Sequence, residues 1–310
     1  MYFPYFRGKQ FELLAIRESA ELISKSTFLP IVEPVKENLA GLERTLEALQ
    51  LAGARSAIIA NPRHGDHRGD DTALRSYLED VHRGHDWVIP AILLTNEVSL
   101  DEALRRVREH SDREMILIHD GFTQEKGLAD SLDSGEFTHV FTDLGDRMSL
   151  RRFRGSRRVL MADGFIKQKN ADYFGIERFS DLHVTYRDDY GVDGFGDYLT
   201  VGDHYSDGGG PAYAVAIHLT FIDPDQDEVM FVQHFVSDSN DTPVDPAGKF
   251  SEALNKLVAA TGPGTHYFES SAIREFRSLH ERRHFPGLGY VKKLSMKHHL
   301  ETLADFLSRQ

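Results

Sequence analysis

Short apolar runs separated by helix-like stretches recur along the first half of the chain, and that alternation narrows its fold more than any other feature. The runs are Thr27–Val35, Ser56–Asn61, Trp87–Thr95, Glu114–His119, Thr138–Thr142 and Arg158–Ala162. Helical patterns lie at Gln10–Ser24, Leu39–Ala52, Thr72–Arg83, Leu100–His110 and Glu125–Leu132, and Ser99 with Glu102 has the spacing of a capping box. Near-continuous apolar strands alternating with helices are the pattern of a parallel sheet with crossover helices. Asp181–Tyr186 and Ala212–Phe221 would supply a seventh and an eighth strand. The expectation is a TIM-barrel-like (βα)8 fold with an irregular last quarter. A doubly wound open sheet is the alternative, because spacing alone does not show closure. No linker rich in Pro, Gly or Ser divides the chain, so residues 1–310 are expected to form a single domain, with the helical segment 263–310 packed on it.

Ala212–Phe221 is also the best-patterned stretch. Its odd positions (Tyr213, Val215, Ile217, Leu219, Phe221) are bulky, and its even positions are small except for His218. Period-two alternation describes a strand with two different faces. Val229–Val236 follows after a turn at Asp223-Pro224-Asp225, so the two runs are expected to pair antiparallel, with the bulky odd face in the core. With Asp225 at the centre, His218 and His234 share a face as diagonal neighbours, and a one-residue slip would separate them.

The bulk properties exclude several classes. There are no cysteines, which removes disulfides, thiolate nucleophiles and Cys-ligated zinc. The net charge of −13 argues against general adhesion to nucleic acid. From Pro263 onward, however, eight Lys/Arg face five Asp/Glu. No run approaches the roughly 18–20 apolar residues of a membrane span, and the opening MYFPYFRGKQFELLAIRE has no signal-peptide core. A cytoplasmic protein that does not enter membranes is the expectation.

Active sites of parallel barrels lie at the C-terminal ends of the strands. There the sequence places Glu33, Asn61, Asn96, His119 with Asp120, Asp143 and Asp163. Glu33, Asp120 and Asp163 would hold Mg²⁺ or Mn²⁺ through oxygen ligands, and His119, His218 or His234 would move protons. The same residues equally suit turns and helix caps, and Glu33, set in an apolar strand, equally suits an ion pair with Arg7, Lys9 or Lys36. Gly208-Gly209-Gly210 and the pair Lys292, Lys293 are candidates for binding phosphate, although neither forms a P-loop or a dinucleotide fingerprint.

The opening MYFPYFRGKQFELLAIRE followed by PIVEPVK resembles an uncharacterised bacterial family related to the phage and bacterial "beta protein" group. FSDLHVTY, GFGDYLTVGD, GGPAYAVAIHLTF, HFVSD, GKFSEALNKL and HFPGLGYVKKLSMKHHLE continue that pattern over nearly the whole chain. The resemblance brings no catalytic assignment. It implies a protein partner encoded by a neighbouring gene and a role in phage defence. Two functions therefore stand side by side. One is metal-dependent hydrolysis of a phosphate ester in a nucleotide or nucleic acid. The other is a non-catalytic binding or assembly subunit working with a partner protein.

Overall fold

A computed structural model describes residues 1–82, 86–132 and 136–310. The chain divides into two compact units, residues 1–162 with 185–197 and residues 163–184 with 198–310. It passes from one unit to the other three times, which is why no single linker marks a boundary in the sequence.

The first unit is a closed parallel barrel. Its strands are β1 (Tyr2–Phe6), β2 (Ile31–Val32), β3 (Ser56–Ile59), β4 (Val88–Thr95), β5 (Met115–Asp120), β6 (Phe137–Phe141), β7 (Arg157–Ala162) and, after β8 (Ile176–Ser180) in the other unit, β9 (Gly194–Asp197). Between them run α1 (Gln10–Glu18), α2 (Ala20–Lys25), α3 (Ala40–Leu51), α4 (Thr72–His82), α5 (Leu100–Glu109), α6 (Glu125–Ser131) and α7 (Arg147–Arg152). Arg83, the expected end of the fourth helical stretch, lies outside the described residues. The expected cap forms, with Glu102 N donating to Ser99 Oγ at 3.2 Å. Every residue of β1, β3 and β9 is buried, as a strand covered on both faces must be.

The barrel closes through strands other than the two expected. β1 pairs with β9, and β9 with β7, so the first and last strands of the circle are Tyr2–Phe6 and Gly194–Asp197. Their sequences hide this, because Pro4 interrupts one and two glycines thin the other. The glycines are required by the closure. A Cβ on Gly196 would lie 2.3 Å from the Phe3 carbonyl oxygen and 2.7 Å from the Met161 methyl. The expected strand at Asp181–Tyr186 instead contains the short helix α8 (Leu182–Thr185), its first N–H donating to Ser180 Oγ.

The second unit holds a three-stranded antiparallel sheet in the order β10 (Ala216–Asp223), β11 (Val229–Val236), β8. Its helices are α9 (Pro246–Ala260), α10 (Ser271–Glu281) and α11 (Leu288–Ser308). The expected hairpin is present, though its first strand starts at Ala216 rather than Ala212 and serves this sheet rather than the barrel. Val215, Ile217 and Leu219 enter one core with Phe250, Leu254, Phe276 and Leu294 of the helices, as the alternation requires, whereas Tyr213 before the strand is half exposed. Among the described residues no helix is long and apolar enough to cross a membrane.

Candidate functional site

The C-terminal ends of β2 to β5 carry the first concentration of polar side chains. Glu33, just past β2, is fully buried. Its Oε2 accepts from the Tyr5 hydroxyl at 3.0 Å and lies 3.8 Å from Arg7 Nε. Its Oε1 accepts the backbone N–H groups of Arg63 and His64 at 2.9 and 3.0 Å. A buried carboxylate without partners is costly, and here it is satisfied by fixing the loop that follows β3. Asp120, at the end of β5, pairs with the Arg63 guanidinium and accepts from Thr142 Oγ1 at 2.9 Å. Glu33 and Asp120 thus converge on arginines of the barrel rather than on a common metal position. Asn61 is spent on β4, exchanging hydrogen bonds with the Leu93 N–H and C=O at 2.8 Å each.

His119 does not join this group, although it adjoins Asp120. Successive residues of a strand face opposite ways, and His119 points instead toward α6 and α7. Its Nε2 lies 2.9 Å from His139 Nδ1 and its Nδ1 lies 3.2 Å from Glu125 Oε1. Glu125 also accepts from Ser149 and, at 3.2 Å, from Arg152. Phe141 stacks on His119 and Phe153 on His139, with ring centroids 4.7 and 4.0 Å apart. The ionised Glu125 favours a proton on His119 Nδ1, so His139 donates from Nδ1 to His119 Nε2. The chain then ends at His139 Nε2, which is enclosed and has no hydrogen-bond partner. Burial, reinforced by the neighbouring His119, drives the His139 pKa down to about 2. Burial also lowers that of His119, against the pull of Glu125.

The second unit contains a chain of the same kind. His218 and His234 are directly opposite on β10 and β11, not diagonal as expected. Their Nδ1 atoms are 2.8 Å apart, and His234 Nε2 is 3.4 Å from Glu177 Oε2 on β8. Tyr173 stacks on His234 at 4.7 Å, and Phe165 meets His218 edge-on at 4.8 Å. Gln168 ties the wall together, its N–H donating to the Tyr173 hydroxyl and its Nε2 to Glu177. The Glu177 carboxylate favours a proton on His234 Nε2. His218 then donates from Nδ1 to His234 Nδ1, leaving the lone pair of His218 Nε2 at the end of the chain. His218 is only partly covered, whereas His234 Nε2 is enclosed and meets Glu177 as a close charge contact without hydrogen-bond geometry. Its pKa is lowered well below the ordinary histidine value, chiefly by burial and then by the charges of His234, Lys167 and Lys292.

The remaining expected residues fall in several places. Lys292 is exposed and contributes to the field at His218. Lys293 turns the other way, buried, with Nζ 3.8 Å from the centre of the Tyr290 ring. Asp163 belongs to the second unit, where its two oxygens accept the N–H groups of Phe165 and Asp203 at 3.0 and 2.8 Å. Gly208, Gly209 and Gly210 are exposed, and no heavy atom stands within 4 Å of where a Cβ would be built. Among the described residues, the three side chains with metal-ligand atoms in mutual reach are Asp223, Asp225 and His266 at the hairpin turn. Asp223 is already engaged there by Asp225 N and Gln226 Nε2. Glu177, Tyr173, Lys167, Arg63 and His139 escaped the reading of the sequence. Glu177 lies on a strand whose register with β11 has no local signature, and Arg63 sits in a loop that resembles any other polar connection.

No protein-family model, curated protein or solved structure matches the chain. The roles of its residues therefore rest on their geometry.

Proposed function

We propose that the second unit hydrolyses a phosphate ester, with His218 Nε2 as the general base. The observation that carries this reading is the Glu177–His234–His218 chain, which ends at a partly covered histidine in the field of Lys167 and Lys292. Glu177 and His234 set the tautomer, so that the lone pair of His218 points away from the pair. Burial and the two ammonium groups hold His218 neutral at pH 7, the form in which an imidazole accepts a proton. The same cations balance charge on the nonbridging oxygens of a bound phosphate. Phe165 and Tyr173 cover the rings and keep bulk water from the buried end of the chain. As water attacks phosphorus, its proton passes to His218 and the bond from phosphorus to the ester oxygen breaks. The alkoxide or phenolate leaves and takes up a proton from solvent. His234 with Glu177 stabilises the imidazolium until it too returns its proton to solvent.

The test is turnover of bis-para-nitrophenyl phosphate by the full chain and by His218→Gln. The substitution is expected to reduce kcat by a factor of about 10²–10⁴, the usual contribution of a general base, with little change in Tm. Absence of turnover by the full chain, or unchanged turnover in the variant, would remove the reading.

A further inference from the structure

A cavity of about 540 Å³ opens at the C-terminal end of the barrel strands, and nothing in the proposed chemistry of the second unit uses it. Its walls come from the ends of β3, β4 and β5, from the loop after β3 (Arg63, His64, Arg68) and from the first turns of α5. The loop is rigidly placed. Glu33 holds the N–H groups of Arg63 and His64. Asp66 N donates to the Val35 carbonyl, and a Cβ on Gly65 would lie 2.0 Å from that same oxygen. Arg63 is oriented by Asp120 and by His64 Nε2, 3.2 Å from its Nε. Arg106, on α5, is held by Asp71 and Glu102 at 2.7 Å each. Arg68 stands at the rim without an ion pair among the described residues.

We infer that this cavity binds a small, singly charged, hydroxyl-rich acid of the sugar-acid class, its carboxylate taken by Arg63 and Arg68. The Arg63 guanidinium, preset by Asp120 and His64, matches a planar carboxylate, and Arg68 at the rim adds a second positive charge. The lining also carries Asp71, Glu97, Glu102 and Asp120 beside its three arginines, so a ligand with several negative charges meets repulsion. Thr95, Asn96 and His64 offer polar contacts to hydroxyls, and among the described residues no Phe, Tyr or Trp lines the cavity to stack a nucleobase. The volume falls within the range of roughly 300–1,000 Å³ typical of small-molecule sites.

Calorimetric titration of the full chain with D-glucuronate tests this, with pyrophosphate as the polyanionic comparison. Glucuronate is expected to bind at one site, about tenfold more weakly to Arg63→Gln and severalfold more weakly to Arg68→Gln, whose exposed position leaves folding intact. His218→Gln should bind it as the unaltered chain does, which separates this site from the hydrolytic one. Failure of glucuronate to bind, binding that survives both arginine substitutions, or tighter binding of pyrophosphate would overturn the inference.

Discussion

His119–His139 and His218–His234 are nearly the same arrangement built twice. Each joins histidines of neighbouring strands through ring nitrogens 2.9 or 2.8 Å apart, with a glutamate on one and an aromatic ring against each. The difference lies in where the chain of protons ends. In the barrel it ends at His139 Nε2, fully buried beneath Phe153. In the second unit it ends at a partly covered histidine in the field of Lys167 and Lys292. A carboxylate–histidine–histidine chain is therefore no sign of catalysis by itself. On the reading proposed above, the partial exposure of the terminal histidine is what distinguishes a base from a packing device.

The sharpest division between the pairs should come from their glutamates. Glu177→Gln is expected to lower kcat about a hundredfold, at the lower end of what general-base catalysis supplies, with KM and Tm little changed. Glu125→Gln should leave turnover intact and cost about 1–3 kcal/mol in denaturant unfolding, because Ser149, Arg152 and His119 all lose a charged acceptor. If Glu125→Gln reduced turnover while Glu177→Gln reduced only stability, the comparison would be reversed.

Acid sharpens the comparison next. All four histidines have folded pKa values below the ordinary value of about 6.5. The unfolded chain therefore takes up protons first as pH falls. The stability these groups contribute is full above pH ~6.5 and is lost as the pH drops from there toward their folded values. Unfolding between pH 7 and 5 should show this decline, and His139→Phe should flatten it by up to about 1.4 kcal/mol per pH unit. The acid limb of kcat/KM should fall below pH ~6.5, the ordinary histidine value. A limb above that value would mean that burial and the two lysines do not govern His218.

The smallest expected effect belongs to the surface charge. Lys292→Gln should raise KM severalfold and move the acid limb slightly upward, both more clearly at low salt, where an exposed charge is least screened. Insensitivity to salt would place the phosphate elsewhere.

Much of this architecture is legible in the sequence alone. Parallel strands buried on both faces must be apolar throughout, and those from β2 to β7 stand out between amphipathic helices. The hairpin and its core face followed from period two, because Val215, Ile217 and Leu219 alternate with small residues. Of the site, His218, His234 and Lys292 were visible as residue types able to move protons or meet phosphate. Their association with Glu177 and Tyr173 was not, since those contacts join segments tens of residues apart.

The sequence by itself determined the alternation that makes a barrel, the faces of β10 and β11, and the absence of thiol chemistry. Tertiary structure decided closure, register and the fate of each polar group. Closure depends on Gly196 lying against the Phe3 backbone, a contact no local pattern encodes. Register depends on the hairpin loop, where Asp227 and Glu228 both take positive φ (54° and 58°) and carry the chain to Val229 opposite Asp223. That moves the centre of the turn one residue past Asp225 and sets the two histidines face to face. Glu33 shows the same limit. The chain marks it as a carboxylate in an apolar strand, but only packing decides that its oxygens meet Tyr5, Arg63 and His64. The physical reason is common to all three. Periodicity reports how each residue divides between water and core, whereas hydrogen-bond partners are set by atoms that folding brings from distant parts of the chain.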